Sequence, residues 1–205
     1  MKAMIEKAKN HLRRDDKLKN IIDSVEINVQ SNGLGCFQSL VKSIISQQLS
    51  NKAAATIYGR FLDLVGDRDL QSFLIETEIA PLRDVGLSFQ KSQYVKNTAT
   101  FFHDHQLTDD LIEKMDDASI ISLLTQIKGV GQWTVEMILI FTLNRLDVLP
   151  IDDLIVRNGI KKILEIENLP KKHEDALIIS KTEHWRPYRS IASLYIWANK
   201  DNMKS

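Results

Sequence analysis

Cysteine, proline and glycine are scarce in this chain of 205 residues, which has one Cys, four Pro and eight Gly. The single cysteine, Cys36, excludes an intramolecular disulfide framework and cannot supply the several thiolates of a structural zinc site or an iron–sulfur cluster. Neither sign of charge is in excess, because Lys and Arg together number 27, as do Asp and Glu. No overall basic field therefore attracts a polyanion, and any contact with nucleic acid must be built locally.

Long apolar runs are missing as well. No stretch approaches the roughly 18 apolar residues of a membrane span, and residues 1–9 form a charged amphipathic pattern without the apolar core of a signal peptide. The five histidines show no ligand-like spacing, which argues against a catalytic metal. We expect a soluble, cytoplasmic protein in a reducing environment, with no membrane partner.

The distribution of apolar residues predicts an all-α fold of about ten helices. Apolar side chains recur every three or four residues in five segments, as they do on the buried face of a helix. These segments are residues 36–49, 53–65, 88–102, 134–143 and 188–198. The alternating piece at residues 25–29 has no convincing partner strands and is interpreted as an extended arm.

Two glycines flank one apolar residue between two helical patterns, in the order Gly129, Val130, Gly131. Glycine permits backbone conformations closed to other residues and close approach of another backbone, while Val130 would anchor the turn. The second helix then starts near Gly131 with unpaired amides and a positive dipole end that suit a phosphate. This pattern is typical of a helix-hairpin-helix motif, with Lys128 as a further phosphate contact. The alternative is a tight turn between two helices.

About twenty residues beyond the hairpin, Asp152 and Asp153 stand in a loop at the start of another predicted helix. This spacing allows one helix to leave the hairpin and the loop to bring the chain back. A carboxylate at position 152 would then face a nucleotide whose phosphates the hairpin holds. As an alternative, both aspartates are ordinary N-caps.

Three pieces of the chain together resemble the helix-hairpin-helix DNA glycosylases, most closely the 3-methyladenine DNA glycosylase II branch in a compact form without its N-terminal sheet lobe. They are residues 44–54 (IISQQLSNKAA), residues 127–134 (IKGVGQWT) with 149–155 (LPIDDLI), and residues 185–190 (WRPYRS) with 195–197 (YIW). The resemblance covers roughly residues 37–197.

The resemblance implies one helical glycosylase unit over residues 1–205, built as two helical lobes with the active-site cleft between them. The first lobe would span about residues 36–105 and the helix-hairpin-helix lobe about residues 106–200, with the N-terminal helices packing on the latter. Such a protein is expected to act as a monomer on double-stranded DNA with alkylated bases, at the nucleoid in a bacterium or in the nucleus of a eukaryote.

The resemblance assigns the catalytic role to Asp152 and leaves Asp153 as its neighbour. A fixed carboxylate stabilises the positive charge that develops on the sugar and can orient a water. Bifunctional members carry a lysine two positions after the second hairpin glycine, where this chain has Trp133. We therefore expect base excision without strand cleavage.

Trp133 and Trp197 match the aromatic base pocket of the branch, and Met137 stands where relatives have an aromatic residue. Aromatic faces favour a cationic alkylated purine, such as 3-methyladenine or 7-methylguanine, which is also a good leaving group. Neutral lesions such as hypoxanthine or ethenoadenine are the second possibility. The alternative for the tryptophans is plain core packing.

The resemblance also implies residues that hold the DNA once the damaged base has left the stack. Gln48 matches the wedge position, and Leu87 or Ser88 the probe of the opposite strand; the alternatives are a solvated helix end for Gln48 and a buried turn for Leu87. The carbonyls of Thr125, Ile127 and Val130 match a structural Na⁺ or K⁺ site, and no other cofactor is expected. Further phosphate contacts are considered at Lys91, Lys96, Arg157, Lys161 and Lys162.

A different class of function is a non-catalytic helix-hairpin-helix module that only binds DNA. It explains Gly129 and Gly131, but not an aspartate at this distance or tryptophans at positions 133 and 197.

Overall fold

A computed structural model of the chain describes residues 2–27, 29, 33–167 and 169–200. These residues form thirteen α-helices and one 3₁₀ turn, and no strand occurs among them, which confirms the all-α prediction. Residues 25–27 have no regular structure, and Asn28 of the predicted extended arm lies outside the described residues. The excess over ten helices comes from elements of five to seven residues, which are too short to show a helical period.

The helices have the following bounds: α1 Lys2–Leu12, α2 Asp16–Ser24, α3 Cys36–Ser46, α4 Asn51–Val65, α5 Leu70–Glu76, α6 Ile79–Asp84, α7 Phe89–Asp104, α8 Asp109–Glu113, α9 Asp117–Leu124, α10 Gln132–Phe141, α11 Leu154–Leu164, α12 Lys171–Lys181 and α13 Arg189–Ala198, with the 3₁₀ turn at Glu183–Trp185. No helix in the described part of the chain is long and apolar enough to cross a bilayer.

The chain divides into two compact units, residues 31–143 and residues 1–30 with 144–205. In the first unit, α3 packs against α4, α7, α8 and α10. Leu40 and Ile44 of α3, and Val95 and Ala99 of α7, are fully buried. One face of each helix thus supplies a common core.

This division separates the chain at residue 143, whereas the sequence interpretation set a lobe boundary near residue 105. The physical reason is the apolar face of α10, which packs against α3 and α9 and buries Val135 and Leu139 completely. The hairpin between α9 and α10 therefore belongs to the same unit as residues 36–105.

In the second unit, α1 and α2 pack on α13, and α11 packs on α2, α12 and α13. Trp185 is buried in this core, and its indole Nε1 donates to Asp15 Oδ2 at 2.7 Å. Asp15 also caps α2, since its other oxygen accepts from the amides of Lys17 and Leu18. A contact across 170 residues thus links the two ends of the chain.

Candidate active site

The hairpin turn connects α9 to α10 through residues 125–131. Gly129 has φ +99°, and a Cβ at this position would lie 2.3 Å from the ring of Tyr94. Gly129 is therefore required for its backbone conformation and for its close contact. Val130 is 5% exposed and its amide donates to Ile127 O at 3.0 Å, so it anchors the turn as expected.

The start of α10 offers a site for an anion. Gly131 occupies the N-cap position and has no side chain that could accept from the amides of the first turn. Those amides have no partner within the helix, and the helix dipole favours negative charge there. Lys128 is exposed beside this end. The arrangement can bind a phosphate through the backbone.

Trp133 and Met137 follow on α10, one turn apart, so they share a face of the helix. Trp133 is 42% exposed and Met137 is half-buried. This exposure separates Trp133 from ordinary core tryptophans such as Trp185 and leaves an indole surface that a ligand can contact.

Residues 47–49 form the turn after α3, here named the Gln48 turn, which lies in the same unit and is attached to the hairpin. Gln48 is exposed with φ +56° and follows Gln47, the C-cap of α3. The amide Nε2 of its neighbour Gln47 donates to Gly129 O at 3.1 Å. Sequence reasoning did not foresee this bond, because no local pattern relates residues 47 and 129.

Lys91 holds the other side of this turn. Its Nζ donates to Ile45 O at 2.8 Å and to Gln47 O at 2.7 Å. Burial lowers the pKa of Lys91. In the structure the ammonium group of Lys91 thus caps the end of α3, where the sequence suggested a phosphate contact. Lys96 caps α5 in the same way, through Leu74 O and Ile75 O.

The loop before α7 places only one of its two expected probe residues at the surface. Leu87 is 4% exposed, which agrees with the buried-turn alternative. Ser88 is exposed and caps α7 by accepting from the amide of Lys91 at 3.2 Å. Phe89, which sequence reasoning did not single out, is 54% exposed and follows directly.

In the other unit, Asp153 caps α11. Its Oδ1 accepts from the amides of Ile155 and Val156, both at 3.0 Å, and from Trp197 Nε1 at 3.0 Å. Asp153 and Trp197 are both half-buried. The carboxylate is thus fixed by three donors beside one of the expected base-pocket residues.

Asp152 has different surroundings. Its Oδ1 accepts from Lys171 Nζ at 2.6 Å and lies 3.7 Å from Arg157 Nη2, while the side chain is 46% exposed. Of the two adjacent carboxylates, the structure therefore places Asp153 at the indole and Asp152 in a group of ion pairs.

The loop that leads to these aspartates is attached to the start of α13. Arg189 Nε donates to Asp147 Oδ1 at 2.8 Å, and the amide of Val148 donates to Ser190 Oγ at 2.9 Å. The amide of Ser190 in turn donates to Leu146 O at 2.9 Å. These bonds give residues 185–190, noted in the sequence, a structural role.

Comparison with known proteins decides the family. The family described as HhH-GPD superfamily base excision DNA repair protein matches residues 41–182. The chain belongs to this superfamily.

Several relatives of this HhH-GPD chain are known by name. The DNA-3-methyladenine glycosylase 1 of Schizosaccharomyces pombe is 34% identical over 164 residues, which cover 78% of this chain and 71% of that protein. An alkylbase DNA glycosidase-like protein of the same organism is 33% identical over 165 residues, which cover 78% of this chain and 76% of that protein.

Solved structures agree with this assignment. A 3-methyladenine DNA glycosylase of Schizosaccharomyces pombe in complex with abasic DNA superposes with a TM-score of 0.80 at 31% identity, covering 95% of this chain and 97% of that one. A DNA-3-methyladenine glycosidase of Bacillus halodurans gives a TM-score of 0.79 at 34% identity, covering 94% and 88%.

Proposed function

We propose that this HhH-GPD chain is a monofunctional DNA glycosylase that flips an alkylated purine of the 3-methyladenine or 7-methylguanine type out of duplex DNA and hydrolyses its N-glycosidic bond. The carrying observation is a carboxylate, Asp153, that is held by two helix amides and the indole of Trp197. The names of the relatives support the substrate class.

Asp153 is proposed as the catalytic carboxylate in place of Asp152. As the C1′–N bond breaks, its electron pair leaves with the base and positive charge develops on the sugar. A fixed carboxylate stabilises that charge and accepts a proton from the water that attacks C1′. Asp152 suits this task less well, because Lys171 already bonds to its Oδ1.

The base is proposed to contact the indole of Trp197, which lies beside Asp153. Trp133 and Met137 remain proposed base-contacting residues on the strength of the sequence resemblance. An N-alkylated purine is cationic, so it is attracted to an indole face and leaves as a neutral base. Since such a base departs readily, the proposal requires no general acid. Neutral lesions would be poorer substrates.

The DNA backbone is proposed to bind the amides that begin α10, with Lys128 and the hairpin of Gly129, Val130 and Gly131. The carbonyl of Ile127 accepts one amide, from Val130, and retains a second lone pair. The carbonyls of Thr125, Ile127 and Val130 would hold a monovalent cation, which would supply positive charge near a DNA phosphate.

Gln48 is proposed to fill the gap left by the flipped base, since it is exposed beside the hairpin, and Ser88 to probe the opposite strand. Removing a base from the stack costs a few kcal/mol, which an inserted side chain partly offsets. The protein would act where DNA is found, at the nucleoid or in the nucleus.

The test is release of free base from duplex DNA containing 3-methyladenine or 7-methylguanine under single-turnover conditions, with strand nicking scored separately. Asp153→Asn should lower the rate by a factor of about 10² to 10³, as loss of a main electrostatic group does. Asn is also a good N-cap, so folding is preserved.

Asp152→Asn is the matched control and should retain the rate within a factor of about ten, because its carboxylate is engaged by Lys171. If the wild type binds DNA but releases no base, the glycosylase proposal is wrong and the alternative of a non-catalytic DNA-binding module is favoured. If Asp152→Asn is inactive and Asp153→Asn is active, the first assignment from sequence is right and the present one is wrong.

A further inference from the structure

We propose that Arg157 is a positioning residue that fixes the aspartate turn, residues 151–153, in the conformation that excision requires. This inference rests on the proposed function. Arg157 lies one turn inside α11, and its side chain is 11% exposed, which removes it from direct contact with DNA. Its Nε donates to Ile151 O at 2.8 Å. The carbonyl that receives this bond lies just ahead of the two aspartates.

The other edges of the guanidinium are also occupied. Nη1 donates to Glu174 Oε1 at 2.7 Å and Nη2 to Asp175 Oδ1 at 2.6 Å. Because the guanidinium is planar, these bonds to α12 determine the direction in which Nε points. Arg157 thereby fixes the position of Ile151 O relative to α12. An ammonium group could pair with one carboxylate but could not hold all three directions.

A second layer of ion pairs surrounds this contact. Lys161 Nζ lies 2.5 Å from Glu174 Oε2, and Lys171 Nζ lies 2.6 Å from Asp152 Oδ1 and 3.4 Å from Asp175 Oδ2. The cluster thus joins three cations, Arg157, Lys161 and Lys171, to three carboxylates, Asp152, Glu174 and Asp175.

Buried ion pairs such as that between Arg157 and Glu174 are weak contributors to net stability, because desolvation offsets their attraction. What they provide is a defined geometry. Asp153 lies two residues after Ile151, whose carbonyl Arg157 holds. The carboxylate of Asp153 must accept from the amides of α11 and from the indole of Trp197 at the same time. A misplacement of about 1 Å at a reacting group can cost about 10² in rate.

The discriminating variants are Arg157→Lys and Lys161→Met. Arg157→Lys removes the bond from Nε to Ile151 O, whereas Lys161→Met removes a bond to Glu174 and leaves Arg157 in place. The measurements are the single-turnover excision rate, the Kd for duplex DNA containing an abasic-site analogue, the Tm, and amide hydrogen exchange at residues 151–154. The full chain is used throughout.

For Arg157→Lys we expect a 10- to 100-fold loss of rate, in line with a displaced reacting group, a Kd within about threefold of wild type, and faster exchange at residues 151–154. For Lys161→Met we expect an excision rate within about threefold of wild type, even if its Tm falls as far as that of Arg157→Lys. The proposal would be overturned if both variants lost the same share of the excision rate in proportion to their loss of Tm. A purely structural role of the two residues would then explain the result.

If Arg157→Lys does not fold, Asp175→Asn replaces it. This change leaves the Nε donor of Arg157 in place and weakens the Nη2 anchor, together with the longer contact between Asp175 and Lys171. A milder loss of rate in the same direction is then expected, and an unchanged rate overturns the proposal. A wild type that releases no base would defeat the proposed function instead. The exchange at residues 151–154 would still decide whether Arg157 holds the turn.

Discussion

The hairpin turn and the aspartate turn both lead into a helix, but different forces hold them. At the hairpin, Gly129 lies against the ring of Tyr94, and its carbonyl accepts from the neutral amide of Gln47. At the aspartate turn, the carbonyl of Ile151 accepts from a guanidinium that is itself held by two carboxylates.

This difference follows from what each turn is proposed to bind. A phosphate can be held by backbone amides, so the hairpin needs an exact main-chain path and few charged side chains. A catalytic carboxylate must stay ionised and oriented toward developing positive charge. It is better supported by bonds of fixed direction and balanced charge, which the arginine and its partners provide.

The largest expected effect tests the hairpin half of this comparison. Gly129→Ala adds a Cβ 2.3 Å from the Tyr94 ring at φ +99°, so we expect a loss of about 2 to 5 kcal/mol in the free energy of unfolding. DNA binding should weaken with it. Urea unfolding and a binding titration measure both quantities.

Gly131→Ala is the control for that change. Nothing lies within 4 Å of its added Cβ, and its φ is negative, so only the weaker capping of α10 by alanine remains. We expect a loss of about 1 kcal/mol or less. Equal losses in the two variants would show that the turn is not held by its contact with Tyr94.

A smaller effect is expected when the bond between the hairpin and the Gln48 turn is removed. Gln47→Ala deletes the donor to Gly129 O and should cost about 1 kcal/mol in the free energy of unfolding. Gln48→Ala, at the exposed neighbour, should change that quantity by about 0.5 kcal/mol or less. If Gln47→Ala leaves stability and DNA affinity unchanged, the hairpin does not depend on this bond.

The smallest effect is a local response to acid that separates the two turns. Hydrogen bonds from Lys161 and Arg157 hold the pKa of Glu174 below its ordinary value of 4.5. The stabilisation from these bonds is therefore present above about pH 4.5 and is lost as the pH falls through the lower pKa of the folded protein.

We thus expect amide exchange at residues 151–161, corrected for intrinsic rates, to accelerate more than exchange at residues 129–131 as the pH falls below about 4.5. Neutral bonds hold the hairpin, so acid should affect it less. Equal acceleration at the two turns would show that acid loosens the protein generally and that the charged cluster has no special part in it.

The choice between the two aspartates shows where sequence reasoning stopped. Asp152 and Asp153 are chemically identical and adjacent, and both are good N-cap types. Only contacts with distant residues distinguish them, since Lys171 bonds to Asp152 and Trp197 to Asp153.

The basic residues give a second example. Lysine is a residue type expected at a DNA phosphate. In the structure, however, the ammonium groups of Lys91 and Lys96 bind carbonyls at helix ends 21 to 46 residues away. A lysine meets a helix end or a phosphate with the same three donors. Its sequence neighbours therefore cannot tell which one it binds.

By itself, the sequence determined the helical class, the hairpin glycines and the presence of an aspartate pair at a useful distance. These features depend on local periodicity, on backbone conformations that only glycine adopts readily, and on chain spacing. The tertiary structure alone decided that α10 packs with residues 36–105, that Gly129 rather than Gly131 is sterically required, and that Asp153 meets Trp197. Each of these depends on side chains far apart in sequence, whose proximity is set by burial of the shared core.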